Sequence, residues 1–163
     1  MTDSTRTPHA TSLRTHLGGA LRRGDVGARV TLGGWVHRSR DLGGLVFLTL
    51  RDRDGVLQVS FNPDWTAPEV IAAAAAVGVE SVVMIEGTVH ERPADQHNAE
   101  MATGEVEVRA TSIRVVGPAV TPAIPVAAGR DAKPPAEELR LRNRVLDLRR
   151  PELQFALILR HRL

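Results

Sequence analysis

Between positions 29 and 62 the chain alternates apolar and polar residues in three short runs, at about 29–40, 44–52 and 55–62. A period of two is the mark of a strand with one face buried. In the second run Val46, Leu48 and Leu50 share a face, opposite Leu45, Phe47, Thr49 and Arg51. In the third, Leu57, Val59 and Phe61 lie opposite Val56, Gln58 and Ser60. The runs are separated by Leu42-Gly43-Gly44 and Asp54-Gly55, both hairpin-closing turn signals. Two further strands are predicted over about 80–91 and 104–116; in the last, Val106, Val108 and Ala110 alternate with Glu105, Glu107 and Arg109. A helix lies between the third and fourth strands: Thr66 and Glu69 have capping-box spacing, Pro68 sits in the first turn, and Gly78 ends it. Leu17 to Val26 reads as a short helix weakened by Gly18 and Gly19.

Five strands with one helix between the third and fourth make an all-β chain whose order is that of an OB-fold barrel. Such barrels bind oligonucleotides on the face of strands 2 and 3 and adjoining loops. If the fuller aliphatic faces point inward, Phe47 and Gln58 point outward together, near Arg38 and Arg40. A ring, an amide and guanidinium groups suit an unpaired base. Glu107 falls on the outward phase of strand five. Regular alternation from Val30 through Val36 would turn Arg38 and Arg40 inward, so a bulge or the barrel rim must intervene. Phe47 should be largely exposed.

The segment from Gly117 to Pro135 holds five prolines and no hydrophobic period, and reads as a semi-rigid linker. Beyond it, 137–149 and 152–162 are expected to be helices, with Pro151 starting the second. The first twelve residues include six Ser or Thr and lack an apolar segment, which argues for a disordered leader rather than a secretory signal.

With no cysteine there is no disulfide framework, and no run of 18 apolar residues suggests a membrane span. A cytoplasmic protein is expected. The net charge is only +2, yet from Arg140 onward seven arginines face Asp147 and Glu152, a cluster suited to phosphate. The excess of arginine (20 against one lysine) decides nothing, since a GC-rich genome would produce it as well. His37, His90 and His97 have no metal-ligand spacing. No serine–histidine–acid set, paired carboxylate or phosphate-binding glycine loop stands out.

The stretch Gly34-Trp35-Val36-His37-Arg38-Ser39-Arg40-Asp41-Leu42-Gly43-Gly44-Leu45-Val46-Phe47-Leu48-Thr49-Leu50-Arg51-Asp52, followed by Gly55-Val56-Leu57-Gln58-Val59, resembles the anticodon-binding barrel of bacterial aspartyl-tRNA synthetases. So do Glu86 to Pro93, Ala102 to Val108 and Glu138 to Pro151. In the last of these, Val145-Leu146-Asp147-Leu148-Arg149-Arg150-Pro151 favours the aspartyl branch over its lysyl and asparaginyl relatives. The resemblance covers about residues 13–163.

It implies a leader over 1–12, an OB-fold anticodon-binding domain over 13–117, a linker over 118–136 and the start of a class II catalytic domain over 137–163. It implies anticodon contacts by Arg38, Arg40, Phe47, Gln58, Arg92, Gln96 and Glu107. The partner is the G-U-C anticodon loop of aspartate tRNA, and the full-length enzyme is a homodimer that uses ATP and magnesium. The three class II motifs lie beyond Leu163 in the family, so no catalytic residue, cofactor or metal ligand is expected here, and the chain alone should be inactive. Ser39 stands where arginine is frequent, and Asn143 where tyrosine is common. Leu42 resembles the aspartate-only forms, whereas Asp95 differs from their usual lysine. A free-standing single-strand-binding module is the alternative, and a remnant whose helices pair with a partner chain is a second.

Overall fold

The computed structural model describes residues 11, 13–127 and 133–163; the expected leader over 1–12 lies, apart from Thr11 and with Ser12 included, outside them. Five strands, β1 (Arg29–Asp41), β2 (Val46–Arg51), β3 (Val56–Phe61), β4 (Val82–Glu91) and β5 (Val106–Gly117), close into a barrel in the order β1-β2-β3-β5-β4. Every pairing is antiparallel except that of β3 with β5. Helix α1 (Pro68–Ala75) lies between β3 and β4. This is the predicted OB-fold barrel.

The inward phases are the predicted ones. Val46, Leu48 and Leu50 from β2, and Leu57, Val59 and Phe61 from β3, are all buried. They meet Val106, Val108 and Ala110 of β5 and Ile71 and Ala74 of α1 in one core. The hairpin turns use the expected glycines: Gly43 and Gly44 have φ of 71° and 93°, a left-handed region open to glycine at little cost.

Two local expectations give way to long-range contacts. The helix expected over Leu17–Val26 is instead a pair of single 3-10 turns, Gly18–Ala20 and Arg23–Asp25. The Asp52 carboxylate accepts from the Gly18 amide at 2.6 Å and the Gly19 amide at 3.4 Å, so the β2–β3 hairpin captures this segment. A Cβ on Gly19 would come within 2.3 Å of the Gly55 nitrogen, a contact only glycine permits. Likewise Thr66 does not cap α1. Its hydroxyl donates to the Ala110 carbonyl at 2.7 Å, and Ala67 takes the N-cap position without a side-chain bond. A buried carbonyl on β5 competes more strongly for that hydroxyl than a solvated helix end does.

The chain divides into two compact units, up to Val120 and from Thr121. Among the described residues of 118–136 there is no helix or strand. The helix expected over 137–149 breaks at Asn143 into α2 (Glu137–Arg142) and α3 (Arg144–Asp147), while α4 (Pro151–Arg162) starts at Pro151 as expected. Asn143 has φ −113° and ψ 46°, outside the helical region, and its side chain donates back to the Leu139 carbonyl. The arginine cluster in this unit is less free than its composition suggests. Buried Asp147 pairs with Arg140, Arg144 and Arg150, and Arg142 pairs with Glu138. The hydrogen bond from Arg140 holds the Asp147 carboxyl below its usual range.

Candidate nucleic-acid interface

Strand register decides which polar side chains meet. Around the barrel Arg38 pairs with Thr49, Thr49 with Gln58, Gln58 with Glu107, and Glu107 with His90. One step along the strands, Arg40 pairs with Phe47, Phe47 with Ser60, Ser60 with Arg109, and Arg109 with Thr88. Register partners share a face, so these two rows lie on the outer phase of the barrel with strands about 4.8 Å apart, Ser60 alone among them being buried. Five of the seven predicted site residues, Arg38, Arg40, Phe47, Gln58 and Glu107, fall on it.

A β-bulge resolves the phase of the two arginines. Val36 faces Leu50 and Arg38 faces Thr49, leaving His37 as the extra residue. One inserted residue reverses the phase of everything after it. Arg38 and Arg40 are therefore exposed on the outer surface, although the alternation of Val30 to Val36 continued unbroken would bury them. Arg51 stands beside the bulge: it forms a bidentate ion pair with Glu80 at 2.7 and 2.8 Å and lies 3.3 Å from His37 Nδ1. Burial, together with Arg51 and Arg38, lowers the His37 pKa against the smaller opposing pull of Glu80.

At the centre of the surface Gln58 Nε2 donates to Glu107 Oε2 at 3.1 Å. Arg109 Nε lies 3.7 Å from the other Glu107 oxygen. Glu107 is thus held as a carboxylate acceptor, with the Gln58 carbonyl oxygen beside it. Burial lowers the pKa of neighbouring His90, reinforced by Arg109 and opposed by Glu107. A neutral imidazole keeps a ring nitrogen able to accept. Phe47 has the expected outward orientation but is only partly exposed, because it lies between Arg40 and Ser60 in its row.

The last two predicted residues follow β4: Arg92 is two positions past His90, with its amide donating to the Glu105 carbonyl at 2.9 Å, and Gln96 lies in the β4–β5 loop. The Arg92 side chain turns back toward the Gly104 carbonyl at 3.4 Å, and its Nε has no hydrogen-bond partner. Gln96 is exposed at the end of the 3-10 turn Ala94–Gln96. Thr103 ties this loop to the start of β3 by donating to the Val56 carbonyl at 2.6 Å.

Sequence reasoning passed over Ser60, Trp65 and Arg109. Trp65, in the loop after β3, lies with its Nε1 3.5 Å from the Ser60 carbonyl, and the Arg109 guanidinium sits 4.4 Å from its ring centroid. The strand phases already placed Ser60 beside Gln58 and Arg109 beside Glu107. Only the return of the loop, which brings Trp65 over them, was invisible.

Residues 30–116 match the model of the tRNA anticodon-type OB-fold nucleic acid binding domain. The chain belongs to that family. Its relatives are aspartyl- and asparaginyl-tRNA synthetases, and the region it shares with them includes this OB-fold domain. The chain is 47% identical over 150 residues to an aspartate–tRNA(Asp/Asn) ligase of Rubrobacter xylanophilus, covering 91% of this chain and 24% of the relative. It is 45% identical over 150 residues to an aspartate–tRNA ligase of Geobacillus kaustophilus, covering 92% and 25%. The chain thus spans about a quarter of the length of these curated relatives. Among solved structures, an asparaginyl-tRNA synthetase from Pyrococcus horikoshii superposes with a TM-score of 0.65 at 26% identity, over 83% of this chain and 30% of that one. An aspartyl-tRNA synthetase from Leishmania major Friedlin, at 23% identity, shares the fold with a TM-score of 0.71 over 91% of this chain and 30% of that one.

Proposed function

We propose that the two-row surface of this OB-fold domain reads the G-U-C anticodon of aspartate tRNA for a longer, cytoplasmic, homodimeric class II ligase that joins aspartate to tRNA with ATP and magnesium. The observation that carries the reading is the register. It gathers a stacking ring (Phe47), a fixed carboxylate–amide pair (Glu107 and Gln58) and two exposed arginines (Arg38 and Arg40) on one face of the barrel. Single-stranded bases offer their full Watson–Crick edges, and stacking with edge hydrogen bonds is how proteins read them. Glu107 suits a base edge that donates, and the arginines suit carbonyl oxygens and phosphates. Arg92 and Gln96 would serve loop contacts flanking the central surface.

Among the described residues no group of three or more His, Cys, Asp or Glu side chains is placed to hold a metal ion. We expect the 163-residue chain to bind an anticodon hairpin on its own. Among the same residues no helix is long and apolar enough to cross a membrane.

Titration of the chain with anticodon hairpins tests the reading. A G-U-C hairpin should bind more tightly than one with the middle U replaced, since mispaired edges leave polar groups unsatisfied. Affinity should fall as salt rises. Equal binding of both hairpins would favour a general single-strand module instead.

A further inference from the structure

The reading above uses Phe47 as the stacking platform, yet the same row holds a second flat group that it leaves idle. We infer that Arg109, seated on Trp65, is a second stacking platform, which takes an unpaired nucleotide adjacent to the one on Phe47. The inference rests on the anticodon-binding reading and adds a specificity-determining residue to it.

Register puts Phe47, Ser60 and Arg109 side by side on β2, β3 and β5. Two strand spacings separate the ring from the guanidinium, about 10 Å. Ser60 between them is only 1% exposed, so no open gap lies over it. One face of the guanidinium lies on the Trp65 indole, 4.4 Å from its centroid. The side chain is nevertheless 38% exposed. A planar cation with one face seated on an aromatic ring can take a base on the other in the same stack, and the charge draws the RNA backbone.

A loop clip built only for stability would be expected to satisfy its polar atoms. This one does not. Ser60 Oγ and Arg109 Nε are both buried without a hydrogen-bond partner, and Ser60 is only 1% exposed. Arg109 instead lies 3.7 Å from Glu107, beyond hydrogen-bond range, so it is held chiefly by its stack and its charge. That leaves the guanidinium plane free to align with an incoming base.

The test is a cycle between protein and RNA changes on the 163-residue chain and a G-U-C hairpin. Arg109→Gln and Arg109→Lys should each weaken the intact hairpin on the order of tenfold, the size of one base stack. Both losses should vanish on a hairpin made abasic at one loop position, next to the position whose abasic form cancels Phe47→Ala. Melting temperatures should be unchanged. Arg109→Lys binding like the unaltered chain would overturn the inference, because charge alone would then suffice. So would lowered melting temperatures with affinity unchanged, the behaviour of a loop clip, or the lack of any abasic position that cancels the Arg109 effect. If Phe47→Ala loses affinity and the Arg109 variants do not, only this inference fails; if the unaltered chain does not bind the hairpin, the anticodon reading fails with it.

Discussion

Gln58 and Glu107 stand opposite each other on strands that run in the same direction, joined by one side-chain hydrogen bond of 3.1 Å. β3 and β5 form the parallel pair of the barrel, and through it residues 49 positions apart become one recognition unit. The amide nitrogen is held by the carboxylate, so the amide oxygen is not used in this bond.

That pair yields a first expectation. Glu107→Gln keeps the shape of the side chain and removes its charge, so the barrel should fold as before. Hairpin affinity should fall by about 1.5–3 kcal/mol, the range for a hydrogen bond to a charged group. Discrimination at one anticodon position should narrow at the same time. Titration with hairpins substituted one base at a time checks this; unchanged discrimination would remove Glu107 from the reading surface.

Arg51 and Glu80 form a buried pair, their side chains only 12% and 8% exposed. Glu80 also holds a φ of 66°, a left-handed conformation that the pair and the hydrogen bond from its backbone N–H to the Val36 carbonyl maintain. Arg51→Met strands the carboxylate and should destabilise the barrel by about 3–5 kcal/mol. The double variant Arg51→Met with Glu80→Leu should cost less than Arg51→Met alone, because no charge is left stranded. Chemical denaturation of both variants gives the comparison.

The two partly buried histidines set a pH dependence. Burial lowers the pKa of both His37 and His90 in the folded chain, below the ordinary 6.5. Protons therefore bind the unfolded chain first, so both contributions are fully present above pH 6.5 and are lost as pH falls below it. Denaturation midpoints should drop between pH 7.5 and 5, and replacing both histidines by glutamine should flatten that drop. The loss of Asp147 pairing belongs to a lower window, below its ordinary 3.8.

The core faces of the strands were legible because they depend on alternation within each strand, as Val46, Leu48 and Leu50 show. The outward placement of Phe47, Gln58 and Glu107 followed from the same period. The turn of Arg38 and Arg40 toward solvent did not, because a bulge is a property of two strands and His37 carries no local sign of it. Thr66 misled for a related reason: its spacing to Glu69 suits a cap, but the Ala110 carbonyl that takes its hydroxyl is 44 residues away. Gly18 and Gly19 were read as helix weakeners, when their role is to let the chain pass against Asp52 and Gly55. The partial burial of Phe47 depends on its row neighbours across two pairings.

Phe47→Ala offers the most direct measurement, made on one sample for both hairpin affinity and thermal stability. Binding to the G-U-C hairpin should weaken by about 1–3 kcal/mol, the size of one base–aromatic stack. Because Phe47 is partly exposed on the outer row, the stability loss should stay below the roughly 3–5 kcal/mol of a fully buried ring. Val46→Ala and Leu48→Ala, on the inner phase, should show the reverse, losing stability while whatever remains folded binds as before. Unchanged hairpin affinity in a folded Phe47→Ala protein would contradict the assignment of this face to RNA.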